Sequence, residues 1–247
     1  MNITRSTFRF VNKLLNRFGI LLSKPEIIHG SPAFSGATLF ARRLNDTRFF
    51  HDIVKDVDGV VVESGVHWGY GILIHLTLSK RRIIYGFDSF AGHSLPTKKD
   101  KAGGSYRSLD SSFAVSEADV WKTLLLGLGK GKEQLEPRVK LINGWIQDTM
   151  LKFSKAFSEE GGKIALVHND CDIYEPFKST LENCWPLLSP GGCIILGRLN
   201  NSELLGKTAA IDEFLSTLSS ETYELKQLNL FDNGFQLQTV SYLMKCN

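Results

Sequence analysis

The sequence predicts one α/β domain built on a seven-stranded, mostly parallel sheet with helices on both faces and an antiparallel last strand. Short apolar segments alternate with helical segments from Val60 onward, which is typical of a parallel sheet covered on both sides. The chain has 247 residues, 43% of them hydrophobic, and can therefore bury one large core. Its last two apolar segments are joined by a turn sequence, which predicts the antiparallel strand.

The first five strands are predicted from short runs rich in Val, Ile and Leu, each followed by polar residues or glycine. The first run breaks at Ser64-Gly65, and the second ends at Asp88. Pro176 fits the first turn of the helix after the fourth strand, where a missing N–H costs nothing. The strands are expected at 60–63, 83–87, 139–142, 164–167 and 193–196, with helices through about 79, around 120–126, to about 188 and over 207–218.

The two ends of the chain differ in character. Residues 223–228 and 235–244 are predicted to form the closing strands, joined through Asp232-Asn233-Gly234. Residues 1–55 are expected to form a helical cap on a main domain spanning 56–247. Within this cap, residues 8–22 have apolar side chains at helical spacing with basic residues between them. That helix packs on the domain or on a second copy in a homodimer, or it lies on an anionic membrane.

Composition excludes several classes of protein. A net charge of +3 with 22% charged residues fits neither a disordered tail nor a strongly basic nucleic-acid binder. No apolar run approaches the roughly 18 residues that span a bilayer. The four cysteines form no C-x-x-C pair, which predicts free thiols in a reducing, cytoplasmic environment.

Carboxylates stand at or just beyond the predicted ends of several strands. In an open α/β sheet the ligand binds at the carboxyl ends of the strands. A net-basic chain is therefore expected to present an acidic rim to its ligand. These side chains are Glu63, Asp88, Asp148, Asp170 and Asp172.

The acidic rim favours S-adenosylmethionine over a dinucleotide. A pyrophosphate needs a G-x-G-x-x-G turn, whereas the glycines after Glu63 are spaced differently and are interrupted by Trp68 and Tyr70. S-adenosylmethionine carries no phosphate but has a cationic sulfonium, an ammonium and a ribose diol. Asp88, at the end of the second strand, is well placed for that ribose.

A set of motifs in fixed order resembles the macrocin O-methyltransferase family, and the likeness covers residues 60–214. Its fold is that of the class I methyltransferases. The motifs are Glu63-Ser64-Gly65-Val66, Asp88-Ser89-Phe90, Gly144-Trp145-Ile146-Gln147-Asp148-Thr149, Asp170-Cys171-Asp172-Ile173-Tyr174, Leu188-Ser189-Pro190-Gly191-Gly192 and Ala209-Ala210-Ile211-Asp212-Glu213-Phe214.

The resemblance implies Mg²⁺-dependent methyl transfer from S-adenosylmethionine to a hydroxyl, often on a sugar of a natural product. It assigns Asp170 as a metal ligand and Asp172 as general base or second site carboxylate. It also assigns the methionine part to Glu63 and Gly65, and the ribose to Asp88. The full set of cofactor-binding candidates is Glu63, Ser64, Gly65, Asp88, Ser89, Trp145, Ile146, Gln147, Asp148 and Asp170.

One departure from the family pattern bears on the metal. The acidic pair that usually follows the fifth strand is replaced here by Gly197 and Arg198. Because Mg²⁺ requires several oxygen ligands, the sequence predicts that Mg²⁺ is not bound in the family manner. Either Arg198 stabilises the acceptor oxygen while Asp172 or His168 takes its proton, or the protein binds cofactor without turnover.

The expected function is O-methylation of a small-molecule hydroxyl, with Asp170, Asp172, Arg198 and His168 as catalytic candidates. Three rivals remain: a non-catalytic cofactor-binding relative, a nicotinamide-dependent oxidoreductase and a membrane-associated protein. The polar stretch 97–112 is expected to be either a mobile lid or a solvated loop.

Overall fold

The computed structural model describes residues 36–101, 113–197, 204–232 and 235–246. The predicted amphipathic helix at 8–22 lies outside these ranges. So do Arg198 and most of the polar stretch 97–112. The division of the chain into a cap and a main domain stays a prediction.

Seven strands form one sheet, in the order β3-β2-β1-β4-β5-β7-β6. Strands β1 to β5 pair in parallel, and β7 runs antiparallel to both β5 and β6. The predicted fold, including the antiparallel last strand, is confirmed. The strands are β1 Val60–Ser64, β2 Ile84–Asp88, β3 Val139–Asn143, β4 Ile164–Asn169, β5 Leu188–Gly197, β6 Tyr223–Asp232 and β7 Phe235–Lys245.

Helices cover both faces of the sheet. The first, α1, lies before the first strand, and the others alternate with the strands as far as β6. In chain order they are α1 Gly36–Ile53, α2 Tyr70–Leu78, α3 Lys98–Lys101, α4 Glu117–Leu128, α5 Lys132–Leu135, α6 Ile146–Glu159, α7 Tyr174–Cys184 and α8 Leu205–Ser216.

The sheet separates two apolar cores, because successive side chains of a strand point to opposite faces. Val61 packs in one core with residues of α1, α2 and α4, whereas Val62 packs in the other with residues of α6, α7 and α8. Both valines are fully buried. This double burial explains why β1 is a continuous apolar run and not an alternating one.

Helix α1 is fixed to the body of the domain at its carboxyl end. Phe50 is buried in the core it shares with α2. The guanidinium of Arg82 donates hydrogen bonds to the carbonyl oxygens of Val54, Val57 and Gly59, at 2.6, 2.7 and 2.6 Å. These bonds position α1 beside the amino end of β1, and bring residues of α1 near the central strands.

Several boundaries differ from the prediction, among them the end of β6, which lies at Asp232 and not at residue 228. Strand β5 begins at Leu188, not at residue 193, because Leu188 already pairs with Ile164 before the Pro-Gly-Gly sequence that resembles a turn. Helix α7 ends at Cys184, ahead of the predicted end near residue 188. Helix α6 was not predicted, although its amphipathic sequence buries Ile146 and Met150.

Candidate functional site

A cavity of about 400 Å³ opens at the carboxyl ends of β1, β2 and β4. Its size falls within the range of small-molecule sites, and its place is where open α/β sheets bind ligands. Most of the candidate residues predicted from the sequence line it. These are Glu63, Gly65, Asp88, Ser89, Trp145, Ile146, Gln147, Asp170 and Asp172.

The floor of the cavity is the place where β1 and β4 leave the sheet side by side. The Asp170 amide donates to the Ser64 carbonyl oxygen at 2.9 Å. Gly65 has a φ of +88°, and a Cβ on it would lie 2.8 Å from the carbonyl oxygen of Asp170. Only glycine combines this backbone conformation with so close an approach.

Glu63 is the most unusual carboxyl group of the site. Its residue is 2% exposed, and its Oε2 has no hydrogen-bond partner among the described residues. Burial raises the pKa of this carboxyl well above its ordinary value, and the charge of Asp170 raises it further. An unpartnered buried carboxyl is costly unless a ligand satisfies it. Gly71 leaves the space for it, since a Cβ there would overlap with the carboxylate.

Asp88, by contrast, is held by the backbone. Its Oδ2 accepts a hydrogen bond from the His67 amide and its Oδ1 one from the Phe90 amide, both at 2.9 Å. His67 and Phe90 have positive φ values of 48° and 53°. A non-glycine residue in this region costs on the order of 1 kcal/mol, so the loops store strain to orient one carboxylate.

Aromatic and amide groups surround the mouth of the cavity. Trp145, Trp68 and Phe113 line it and are 40%, 44% and 41% exposed. Gln147 also lines it, and its buried Oε1 has no hydrogen-bond partner within the described ranges. Flat aromatic faces and an unsatisfied amide are groups that can bind a purine ring.

Three predicted side chains have other surroundings. The Ser64 hydroxyl donates to Asn169 Oδ1 at 3.3 Å and lies 2.9 Å from Thr180 Oγ1, inside the protein. Asp148 is exposed in the first turn of α6, where a carboxylate favours the helix amino end. His168 does not line the cavity. Arg198, the fourth catalytic candidate, lies outside the described residues.

The cavity also has lining residues that the sequence did not mark as site residues, among them Arg43, His67, His93 and Phe113. Arg43 comes from α1, before the first strand, and no local motif marks it. His67 lies in the turn between β1 and α2. His93 and Phe113 flank the polar stretch, and their rings lie 4.9 Å apart between centroids. Their place in the cavity is set by tertiary packing.

The residues at the end of β5 do not fit a Mg²⁺ site of the family kind. Gly197 has no side chain to offer, and the Lys207 Nζ lies 2.9 Å from the point where a Cβ on Gly197 would stand. Lys207 is buried and its charge lowers the pKa of nearby His168, although burial is the larger cause. An ammonium group thus stands where an acidic ligand would project.

The chain resembles known sugar and natural-product methyltransferases. A sequence model of the macrocin O-methyltransferase (TylF) family matches residues 29–219. An 8-demethyl-8-(2,3-dimethoxy-alpha-L-rhamnosyl)-tetracenomycin-C 4'-O-methyltransferase of Streptomyces olivaceus is 26% identical over 177 residues. A demethyldecarbamoylnovobiocin O-methyltransferase of Streptomyces niveus is 26% identical over 175 residues. Each match covers 67% of this chain and 63% of the relative.

The fold has a close counterpart among solved structures. The calicheamicin methyltransferase CalS11 superposes with a TM-score of 0.64 at 21% sequence identity. The superposition covers 99% of this chain and 94% of that one. In the described part of the chain, no helix is long and apolar enough to cross a membrane.

Proposed function

Since this chain belongs to the macrocin O-methyltransferase family, we propose that it transfers the methyl group of S-adenosylmethionine to a hydroxyl of a small molecule, a sugar or sugar-bearing natural product. The observation that carries the proposal is the acidic cavity. Glu63 is buried there without a hydrogen-bond partner in the described ranges, and Asp88 is oriented by two backbone amides. Such a site suits a cation that also has a diol.

The cofactor is assigned to the cavity by matching charge and shape. Glu63, supported by the backbone at Gly65, binds the cationic methionine part. Asp88 accepts from the ribose hydroxyls with the lone pairs that the two amides leave over. Trp145, Ile146 and Gln147 border the adenine. The glycines after Glu63 lack the G-x-G-x-x-G spacing that a pyrophosphate needs, which disfavours a nicotinamide cofactor.

Methyl transfer itself requires mainly positioning, because the sulfonium is already an activated donor. When bound, S-adenosylmethionine would supply an activated methyl group to the acceptor oxygen in line, and its sulfur would become a neutral thioether as the carbon–sulfur bond breaks. The hydroxyl proton passes to a carboxylate. Asp172, which lines the cavity beside His93, is the residue proposed to take it. No step requires Mg²⁺ at Gly197.

The acceptor class is proposed from the relatives. The two Streptomyces enzymes are named for a rhamnosyl tetracenomycin and for demethyldecarbamoylnovobiocin. We propose that this protein likewise methylates a hydroxyl of a glycosylated small molecule.

Calorimetric titration tests the cofactor assignment. S-adenosylmethionine, S-adenosylhomocysteine and NAD are each titrated with and without Mg²⁺. We expect both adenosyl ligands to bind, with no effect of Mg²⁺, and NAD not to bind. Binding of NAD alone, or binding that requires Mg²⁺, would contradict the proposal.

A second candidate is a protein that binds cofactor without turnover. The ammonium of Lys207 beside Gly197 favours it, because the metal ligand of an active relative is missing there. Transfer of a radiolabelled methyl group to nucleotide-activated sugars and glycosylated aglycones distinguishes the two. Metal-dependent activity that appears only in a Gly197→Asp, Arg198→Asp double variant would support the non-catalytic candidate.

A further inference from the structure

Behind the cavity, two neighbouring strands and a helix bring together one carboxylate and two imidazoles. Glu63 of β1 and His168 of β4 are partners in the parallel register, so their side chains project from the same face of the sheet. Helix α2 crosses that face and adds His75. One donor atom from each of Glu63, His75 and His168 lies within 4.8 Å of the other two.

All three residues direct an unsatisfied atom into this space. Glu63 Oε2, His75 Nε2 and His168 Nδ1 are buried and have no hydrogen-bond partner among the described residues. Glu63 and His75 are 2% and 0% exposed, and their facing atoms are 3.8 Å apart, too far for a hydrogen bond. Three orphaned polar atoms that converge in the interior indicate a missing partner.

A fourth residue, His51, can fix the tautomer of His75 in which Nε2 binds a metal. His51 Nε2 lies 2.9 Å from His75 Nδ1. If Nδ1 donates in this bond, His75 Nε2 carries a lone pair and faces Glu63. Metal-bound histidines are usually oriented by such a second hydrogen bond, which fixes the tautomer.

We infer that Glu63, His75 and His168 form a binding site for a divalent transition metal ion such as Zn²⁺. The bound ion opposes binding of the cofactor. Two imidazoles and one carboxylate are a ligand set that Zn²⁺ accepts, and they differ from the oxygen ligands that Mg²⁺ prefers. Ligands around tetrahedral Zn²⁺ lie roughly 3.4 Å apart, so small side-chain rotations would close this site.

Glu63 connects the metal site to the cavity, because it also lines the cavity wall. This part of the inference rests on the proposed binding of S-adenosylmethionine to Glu63. A divalent ion on the carboxylate neutralises it and repels the cationic cofactor. Asp170, whose charge acts on Glu63, would offset the added positive charge and make the ion tolerable in the interior.

The test is titration of the chelator-treated protein with Co²⁺, without cofactor, followed by visible absorption. We expect one ion per chain, with the intense d–d bands of a four- or five-coordinate site. His75→Gln and His168→Gln should each weaken binding by more than about tenfold, and His51→Gln by about 10- to 100-fold. His93→Gln, which removes an imidazole from the cavity but not from the cluster, is the matched control and should bind as wild type.

X-ray absorption spectroscopy of the Zn²⁺-loaded wild-type protein tests the inference even if a variant fails to fold. The spectrum should show two imidazole nitrogens and a carboxylate oxygen as ligands of the ion. Absence of Co²⁺ binding, or an equal loss of Co²⁺ affinity in His93→Gln and His75→Gln, would overturn the site.

In a separate titration, saturating Zn²⁺ should weaken S-adenosylhomocysteine binding at least about tenfold in wild type but not in His75→Gln. Unchanged affinity would overturn the role of Glu63 as third ligand and the opposition to cofactor.

Discussion

At the scale of single residues, two of the carboxylates that line the cavity have opposite surroundings. Asp88 receives two backbone hydrogen bonds, whereas the Oε2 of Glu63 has none in the described part of the chain. Asp88 is thus satisfied and positioned before any ligand arrives. The unpartnered Glu63 adds an energetic cost to the free protein, and we propose that a cationic ligand removes it. The sequence placed both at strand ends, but the difference between them depends on the folded loops.

Replacement of Glu63 by glutamine should separate stability from binding. Glu63→Gln removes a buried ionisable group, so the free protein should gain on the order of 1 kcal/mol in the free energy of unfolding at neutral pH. Its affinity for S-adenosylhomocysteine should fall about tenfold to a hundredfold, because a charge-assisted contact is lost. Urea denaturation and calorimetry measure the two effects. Asp56→Asn, at an exposed residue that does not line the cavity, is the control and should change neither.

The raised pKa of Glu63 also predicts proton release on cofactor binding. The ligand's positive charge favours the ionised carboxylate, so the pKa falls in the complex and a proton is lost. Affinity should therefore rise with pH above the pKa of the complex and level off above that of the free protein. Calorimetry in two buffers of different ionisation enthalpy, with a chelator present, measures the number of protons released on binding. Glu63→Gln should show none; equal release from this variant would refute the assignment.

At the scale of elements, hydrogen bonds connect the short helix α3 to α7, and α7 borders the cavity. The Asp100 side chain is buried and accepts from the amide and hydroxyl of Thr97 at 2.7 and 2.8 Å. It also accepts from the Tyr174 amide, at the start of α7, at 2.8 Å. Lys99 adds an ion pair to Glu213 of α8. The beginning of the polar stretch 97–112 is therefore anchored, which the sequence, read as a lid or a solvated loop, did not reveal.

Loss of that anchor should destabilise the protein. Asp100→Ala leaves the Tyr174 amide without its partner, and the free energy of unfolding should fall by about 1 to 3 kcal/mol. Lys98→Ala changes an exposed side chain of the same helix and should have no measurable effect. Urea denaturation of both variants decides the point. Equal stability of Asp100→Ala and Lys98→Ala would show that the observed contacts do not hold α3 in place.

At the scale of the whole molecule, the sheet and its strand-end carboxylates could be predicted because both depend on local sequence. Val60 to Glu63 is an apolar run that ends in a charged residue, and this pattern can be recognised without knowledge of the tertiary structure. Arg43, His75 and His93 could not be placed, since α1, α2 and the segment after β2 reach the site only through packing. The early start of β5 could not be predicted either, because it depends on the pairing of Leu188 with Ile164, whereas the local sequence that follows resembles a turn.

A crystal structure of the protein with S-adenosylhomocysteine tests the cofactor assignment most directly. We expect the ligand in the cavity above β1 and β2, with its amino group at the Glu63 carboxylate and its ribose hydroxyls at Asp88. A ligand bound elsewhere would contradict it. So would a complex in which NAD, and not the adenosyl ligand, places a phosphate beside Gly65.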